Sequence, residues 1–151
     1  MTNIKFGTDG WRAIIGKEYT TENVARVSIA VADWLNEKND NNSVVIGHDC
    51  RFSGELFAET AAKVLAYKGI LVKLAKGFVS TPMVSLGVTK EKASLGIVIT
   101  ASHNPPAYNG YKLKGDFGGP LLPDDIEEVE KRIPESNTVD YNNISIDSLV
   151  D

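Results

Sequence analysis

The sequence predicts a three-layer α/β/α sandwich around a mostly parallel, mixed sheet. Three observations carry this reading: short apolar or β-branched runs at Val44–Ile46, Ile70–Leu74 and Ser94–Thr100; stretches of helical apolar spacing between them; and polar or glycine-bearing loops after the runs. Strands that alternate with helices pair in parallel, because each helix carries the chain back across the sheet. In such a domain the loops at strand ends carry function.

Taken in order, the first helix is expected from Thr21, where Val24, Val27, Val31, Trp34 and Leu35 recur at helical spacing until polar Asn39 to Ser43 ends the pattern. Val44 to Ile46 reads as a buried strand that stops at Gly47 and feeds the loop His48-Asp49-Cys50-Arg51. Ser53 reads as the N-cap of a second helix with Leu56, Phe57, Ala61, Val64 and Leu65 on one face and Gly69 at its end. Ile70 to Leu74 is the next strand. Thr81-Pro82 opens a short helix through Leu86, closed at Gly87. Ser94 to Thr100 is a buried strand running straight toward Ser102, and Gly110 to Lys114 a short returning strand. Pro123 starts a last helix through Ile126, Val129 and Ile133, stopped by Pro134. Residues 1–134 are thus one expected α/β/α domain. The polar, Asn-rich stretch 135–151 reads as a linker or tail.

Bulk properties exclude several classes. A chain of 151 residues with 42% hydrophobic and 24% charged side chains has the composition of a single folded core. A net charge of −4 argues against nucleic acid or an anionic membrane as the main partner, since both need a clustered positive field. Cys50 is the only cysteine, so no intrachain disulfide forms, and a reducing, cytoplasmic setting is expected. No apolar run approaches about 18 residues, and the N-terminus lacks the layout of a secretion signal. The sequons at Asn41 and Asn143 are read as chance matches.

The run Thr100-Ala101-Ser102-His103-Asn104-Pro105-Pro106 places a hydroxyl just after a buried strand, on a loop that Asn104 and two prolines stiffen. The residues alone leave two readings beside a substrate-facing hydroxyl: an ordinary turn, or a hydrolase nucleophile. The second lacks a G-x-S-x-G elbow and has only His48 and His103 as bases.

The segment resembles the phosphoserine loop of the α-D-phosphohexomutases, the superfamily of phosphoglucomutase, phosphomannomutase and phosphoglucosamine mutase. Three further motifs share the resemblance in the family's order: FGTDGWR (Phe6 to Arg12), GHDCR (Gly47 to Arg51) and NGYK (Asn109 to Lys112). It implies that Ser102 is phosphorylated and passes its phosphoryl group to a phosphohexose substrate through a bisphosphate. Catalytic roles are thereby implied for Ser102, Lys112, Arg12 and His103, and phosphate or substrate contacts for Thr8, Arg12, Arg51, Ser102, His103, Asn104 and Lys112. A phosphoserine carries about −1.5 to −2 charge, so cations such as Arg12 and Lys112 have a physical task beside it. Lys112 is open to two roles, charge partner or acid/base on the sugar hydroxyl. His103 is equally open between phosphate contact and loop support, and Arg51 is read as an ion pair or a prop for the phosphate loop. Asp9 stands where many members carry serine; the phosphoglucosamine mutase branch often has aspartate there, but Trp11 and Ala13 blur that assignment.

The resemblance also implies Mg²⁺, held in the family by an Asp-Gly-Asp-x-Asp loop of a second domain that this sequence does not contain. Here the metal would meet the chain only through phosphate on Ser102. Pro123-Asp124-Asp125 reads instead as a solvated acidic helix start. The leading expectation is therefore a mutase N-terminal domain that lacks turnover alone, with the remaining domains of the enzyme as partners and an exposed interdomain surface through which it could form a homodimer. The alternative from another class is a naturally short, non-catalytic module that binds a phosphosugar or a partner.

Overall fold

The computed structural model describes residues 2–146. The chain runs β1 (Trp11–Ile14), α1 (Thr21–Lys38), β2 (Ser43–His48), α2 (Gly54–Tyr67), β3 (Leu71–Phe78), α3 (Thr81–Lys90), β4 (Leu95–Ile99), β5 (Tyr108–Gly115) and α4 (Pro123–Lys131), followed by a 3₁₀ turn at Tyr141–Asn143. The five strands form one sheet in the order β1-β5-β4-β2-β3. β2 pairs in parallel with β3 and β4, while β5 is antiparallel to both β4 and β1. Four strands therefore point one way and β5 the other, the expected mixed, mostly parallel α/β sheet.

Side chains alternate across the sheet, so each strand supplies two faces. Val44, Ile46, Leu95, Ile97, Ile99, Tyr111 and Leu113 enter the main core with Val24, Val27 and Val31 of α1 and Phe57, Ala61 and Leu65 of α2. Val45 and Val98 point to the other side and meet Val84 and Val88 of α3. Helices thus cover both faces. Each fully buried Val or Ile contributes about 1.5–3 kcal/mol by leaving water, so Ile97, Val98 and Ile99 fix β4, and with it the point where the Ser102 loop departs.

Thr20 caps α1 by accepting the Asn23 amide at 3.2 Å, and α1 ends at Asn39 as the polar cluster requires. Gly69 closes α2 with φ 85, its amide bonded to Ala66 O and that of Ile70 to Leu65 O, a Schellman ending.

Several expectations are corrected. Ser53 sits at the N-cap position of α2, but in a left-handed conformation (φ 59) with no side-chain cap bond. Leu56 is 52% exposed and does not share the buried face of α2. α3 continues through Gly87 to Lys90, because Val88 packs fully buried against the sheet and stabilises another turn. β1 was not expected at all; it owes its existence to pairing with β5. The stretch expected as linker or tail begins on the body of the domain: Val139 and Tyr141 pack on Ala25, Ile29 and Val64, and Tyr141 OH donates to Glu22 and bonds the Thr21 hydroxyl. Residues 147–151 of that stretch lie outside the described residues. No helix among the described residues is long and apolar enough to cross a membrane.

Candidate functional site

Ser102 is exposed on the loop between β4 and β5, in the left-handed region at φ 53. A non-glycine residue held there costs on the order of 1–2 kcal/mol, which surrounding bonds must offset. They do so through a chain that starts on the neighbouring strand. Asp49 follows β2, which lies beside β4, and its Oδ2 accepts from Thr100 Oγ1 at 2.5 Å; Thr100 Oγ1 in turn accepts the Ser102 amide at 3.1 Å.

Arg51 completes the clamp. Its guanidinium donates to four backbone carbonyls of the Ser102 loop: Nη2 to Ser102 and Asn104 at 2.8 and 2.7 Å, Nη1 to Pro105 and Tyr108 at 3.0 and 2.9 Å. Asp49 fixes Arg51 by accepting its amide at 3.0 Å and lies 3.6 Å from Nε. The Nη hydrogens are thus engaged by the loop backbone, so in this geometry Arg51 holds the loop and offers no free Nη donor to a phosphate.

Arg12 joins this loop to the N-terminal segment. Nη1 donates to Asn104 Oδ1 at 2.7 Å, and Nη2 to Asp9 Oδ2 at 2.7 Å. The same Asp9 oxygen accepts Lys112 Nζ at 2.7 Å. Two glycines make room for this. Gly110 pairs with Arg12 across β1 and β5, where a Cβ would collide with the Thr100 carbonyl and lie 3.0 Å from Arg12 Cγ. Gly10 has φ 96, and a Cβ there would lie 2.7 Å from Tyr111 O and 3.0 Å from Lys112 Cγ, so glycine lets the Asp9 turn approach β5.

Partial burial pushes the Asp9 carboxyl up, but the Lys112 hydrogen bond and the charges of Lys112, Arg12 and Lys114 outweigh it and hold Asp9 below the ordinary carboxylate range.

Of the expected residues, Arg12, Asn104 and Lys112 are tied together through Asp9, and Arg51 grips the backbone of Ser102. His103 is exposed beside Ser102. Thr8 is exposed and lines a hollow of about 760 Å³ with Phe6, Phe117 and Ile126, while a second hollow of similar volume, between Trp34 and Phe117, contains none of the expected residues. Among the described residues no group of three or more His, Cys, Asp or Glu could hold a metal ion. Asp124 and Asp125 lie in the first turn of α4, with Asp125 paired to Lys38 at 2.8 Å.

Sequence reasoning missed Asp9, Asp49 and Thr100 as parts of the site. Asp49 lay inside a quoted motif; its side-chain bond to Thr100, 51 positions away in sequence, gave no local signal.

The family model described as phosphoglucomutase/phosphomannomutase, alpha/beta/alpha domain I, matches residues 3–140. The chain is 38% identical to a phosphoglucomutase of Staphylococcus saprophyticus, over 89% of this chain and 25% of that protein. It is 41% identical to a phosphoglucosamine mutase of Thermotoga maritima, over 85% of this chain and 28% of that one. A crystal structure from Thermus thermophilus, provisionally named a phosphomannomutase, superposes with a TM-score of 0.87 at 40% identity, covering 90% of this chain and 31% of that chain. The chain thus spans about a quarter to a third of the length of these proteins.

Proposed function

This chain belongs to the phosphoglucomutase/phosphomannomutase family through its alpha/beta/alpha domain I, and on that premise we propose that Ser102 carries a phosphoryl group and exchanges it with a phosphohexose. The observation that carries the reading is the setting of Ser102: an exposed hydroxyl at positive φ, on a loop pinned by four Arg51 bonds and linked through Asn104 and Arg12 to Lys112. A rigid carrier beside cations suits phosphoryl transfer, in which positioning and charge neutralisation do most of the catalysis.

In the proposed reaction a sugar hydroxyl attacks the phosphorus in line, the P–Oγ bond of Ser102 breaks and a new P–O bond forms. The hydroxyl proton leaves to a base and Ser102 Oγ takes up a proton as it departs, giving a sugar bisphosphate and an unphosphorylated serine. Return of its other phosphate to Ser102 completes the interconversion of 1-phospho and 6-phospho sugars. Arg12 and Lys112 neutralise the phosphoryl oxygens, and Lys112 stays open to acid/base work on the sugar hydroxyl as well. His103, beside Ser102, contacts the phosphate or substrate. Asn104 orients Arg12, and Thr8 faces substrate from the N-terminal loop.

Among the described residues the carboxylates do not fit a Mg²⁺ site, so no step is derived through the metal, which would meet the chain at phosphate on Ser102. The substrate-reading parts belong to the rest of such an enzyme, for which the exposed Phe78, Met83 and Leu86 offer contact surface; a second copy could cover the same face. A cytoplasmic setting belongs to the same proposal.

A coupled assay with a hexose 1-phosphate tests the assignment. The chain alone should show no turnover above background, and Ser102→Ala placed in a complete enzyme containing this domain should abolish turnover. Efficient isomerisation by the chain alone, or by the Ser102→Ala enzyme, would overturn it.

A further inference from the structure

Arg12, Lys112 and Lys114 stand on one face of the sheet, because they alternate with Trp11, Tyr111 and Leu113, whose side chains enter the main core on the other. Their only acidic hydrogen-bond partner among the described residues is Asp9, whose Oδ2 takes both Arg12 and Lys112 at 2.7 Å. Lys114 is 8% exposed, yet among the described residues its ammonium has no hydrogen bond and no salt bridge. Burial pushes it down from the ordinary lysine range, the charge of Lys112 adds to this, and Asp9 offsets it in part.

A partly desolvated ammonium with no hydrogen-bonded partner gains when an anion arrives. Three cations against one carboxylate leave an excess of positive charge, which a phosphate monoester dianion neutralises better than the single carboxylate does. Asp9 is also the exchangeable member. Its side chain is half exposed and is followed by Gly10 at φ 96, in a turn outside the strands.

We propose that Arg12, Lys112 and Lys114 form a phosphate-dianion site in which Asp9 is the resident counter-anion, displaced by the incoming phosphate, and Lys114 is the third cation that receives it. The inference rests on the phosphoryl-carrier reading for Arg12 and Lys112 and adds Asp9 and Lys114 to it. The phosphate belongs either to Ser102 itself or to a free monoester.

The test is titration of the phosphatase-treated 151-residue chain with inorganic phosphate, followed by amide and lysine-ammonium NMR shifts. D9N should bind phosphate about tenfold tighter, as loss of one competing charge-assisted pair implies. K114Q should bind about tenfold more weakly. K114R, which keeps the charge, should stay within about twofold of the parent and shows that a loss in K114Q is not misfolding. D9N binding no tighter than the parent, or K114Q binding as tightly, overturns the site. Ser102→Glu separates the two sources, and both of its outcomes uphold the site: blocked phosphate binding assigns it to the phosphate of Ser102, retained binding to a free monoester. Absence of phosphate on Ser102 in a complete, turning-over enzyme containing this domain would sink the carrier reading while leaving this titration to stand or fall by itself.

Discussion

The Ser102 loop and the N-terminal turn at Asp9 meet through Arg12, yet they are held in opposite ways. The loop is tied by its own backbone: Arg51 grips four of its carbonyls, and Asp49 reaches the Ser102 amide through Thr100. The Asp9 turn reaches the site through one half-exposed carboxylate oxygen shared by two cations. Bonds that end on backbone cannot be exchanged without unfolding the loop, whereas a side-chain ion pair at the surface yields to a competing anion. On the proposed reading, rigidity is placed at the group to be aimed, and exchangeability at the charges that would receive a ligand.

The variant expected to break this contrast most severely is Arg51→Ala. It removes four charge-assisted bonds from a mostly buried side chain and should lower stability by about 3 kcal/mol in urea unfolding. Arg51→Lys should recover little, since an ammonium cannot span four carbonyls.

Next in size, Gly110→Ala puts a Cβ against the Thr100 carbonyl and Arg12 Cγ. It should cost about 2 kcal/mol and separate Arg12 from Asn104, visible as shifts of the Asn104 side-chain amide. A smaller effect tests the strain at the carrier. Ser102→Gly should be about 1 kcal/mol more stable than Ser102→Ala, because only glycine adopts φ 53 freely.

The smallest effect belongs to Asp9. Its folded-state carboxyl lies below its unfolded value, so its ion pairs stabilise above the ordinary carboxylate range and this stability is lost as pH falls through the folded value. With the side chain 50% exposed, D9N should remove less than about 1 kcal/mol at neutral pH. The difference between D9N and the parent should shrink in acid unfolding curves below about pH 4. An Asp9 effect as large as that of Arg51 would erase the contrast between the two regions.

Most of the scaffold was legible in the sequence because its signals are local. The valine spacing of α1, the β-branched run of β2 and Gly69 at the end of α2 each declare their structure within a few residues. What stayed hidden depends on distant pairing. Trp11–Ile14 is too short to declare a strand and becomes one only beside β5. Gly87 has the look of a helix end, and only the place Val88 finds under the sheet carries the helix past it. In the site, the motifs supplied Ser102, Arg12 and Lys112, but the ion pair of Asp9 with Lys112 joins residues 103 positions apart. Asp9 was therefore legible as a departure from the family pattern and not as a partner. Lys114 carried no signal of its own beyond standing two residues after Lys112 on the same face of a strand.

The central claim, that Ser102 is the phosphoryl carrier, is tested most directly by exposing a complete enzyme containing this domain to a hexose 1,6-bisphosphate and mapping phosphate by tandem mass spectrometry. The expected result is one phosphate on the peptide containing Ser102, absent from the Ser102→Ala variant. Phosphate on another residue, or its persistence in Ser102→Ala, would contradict it.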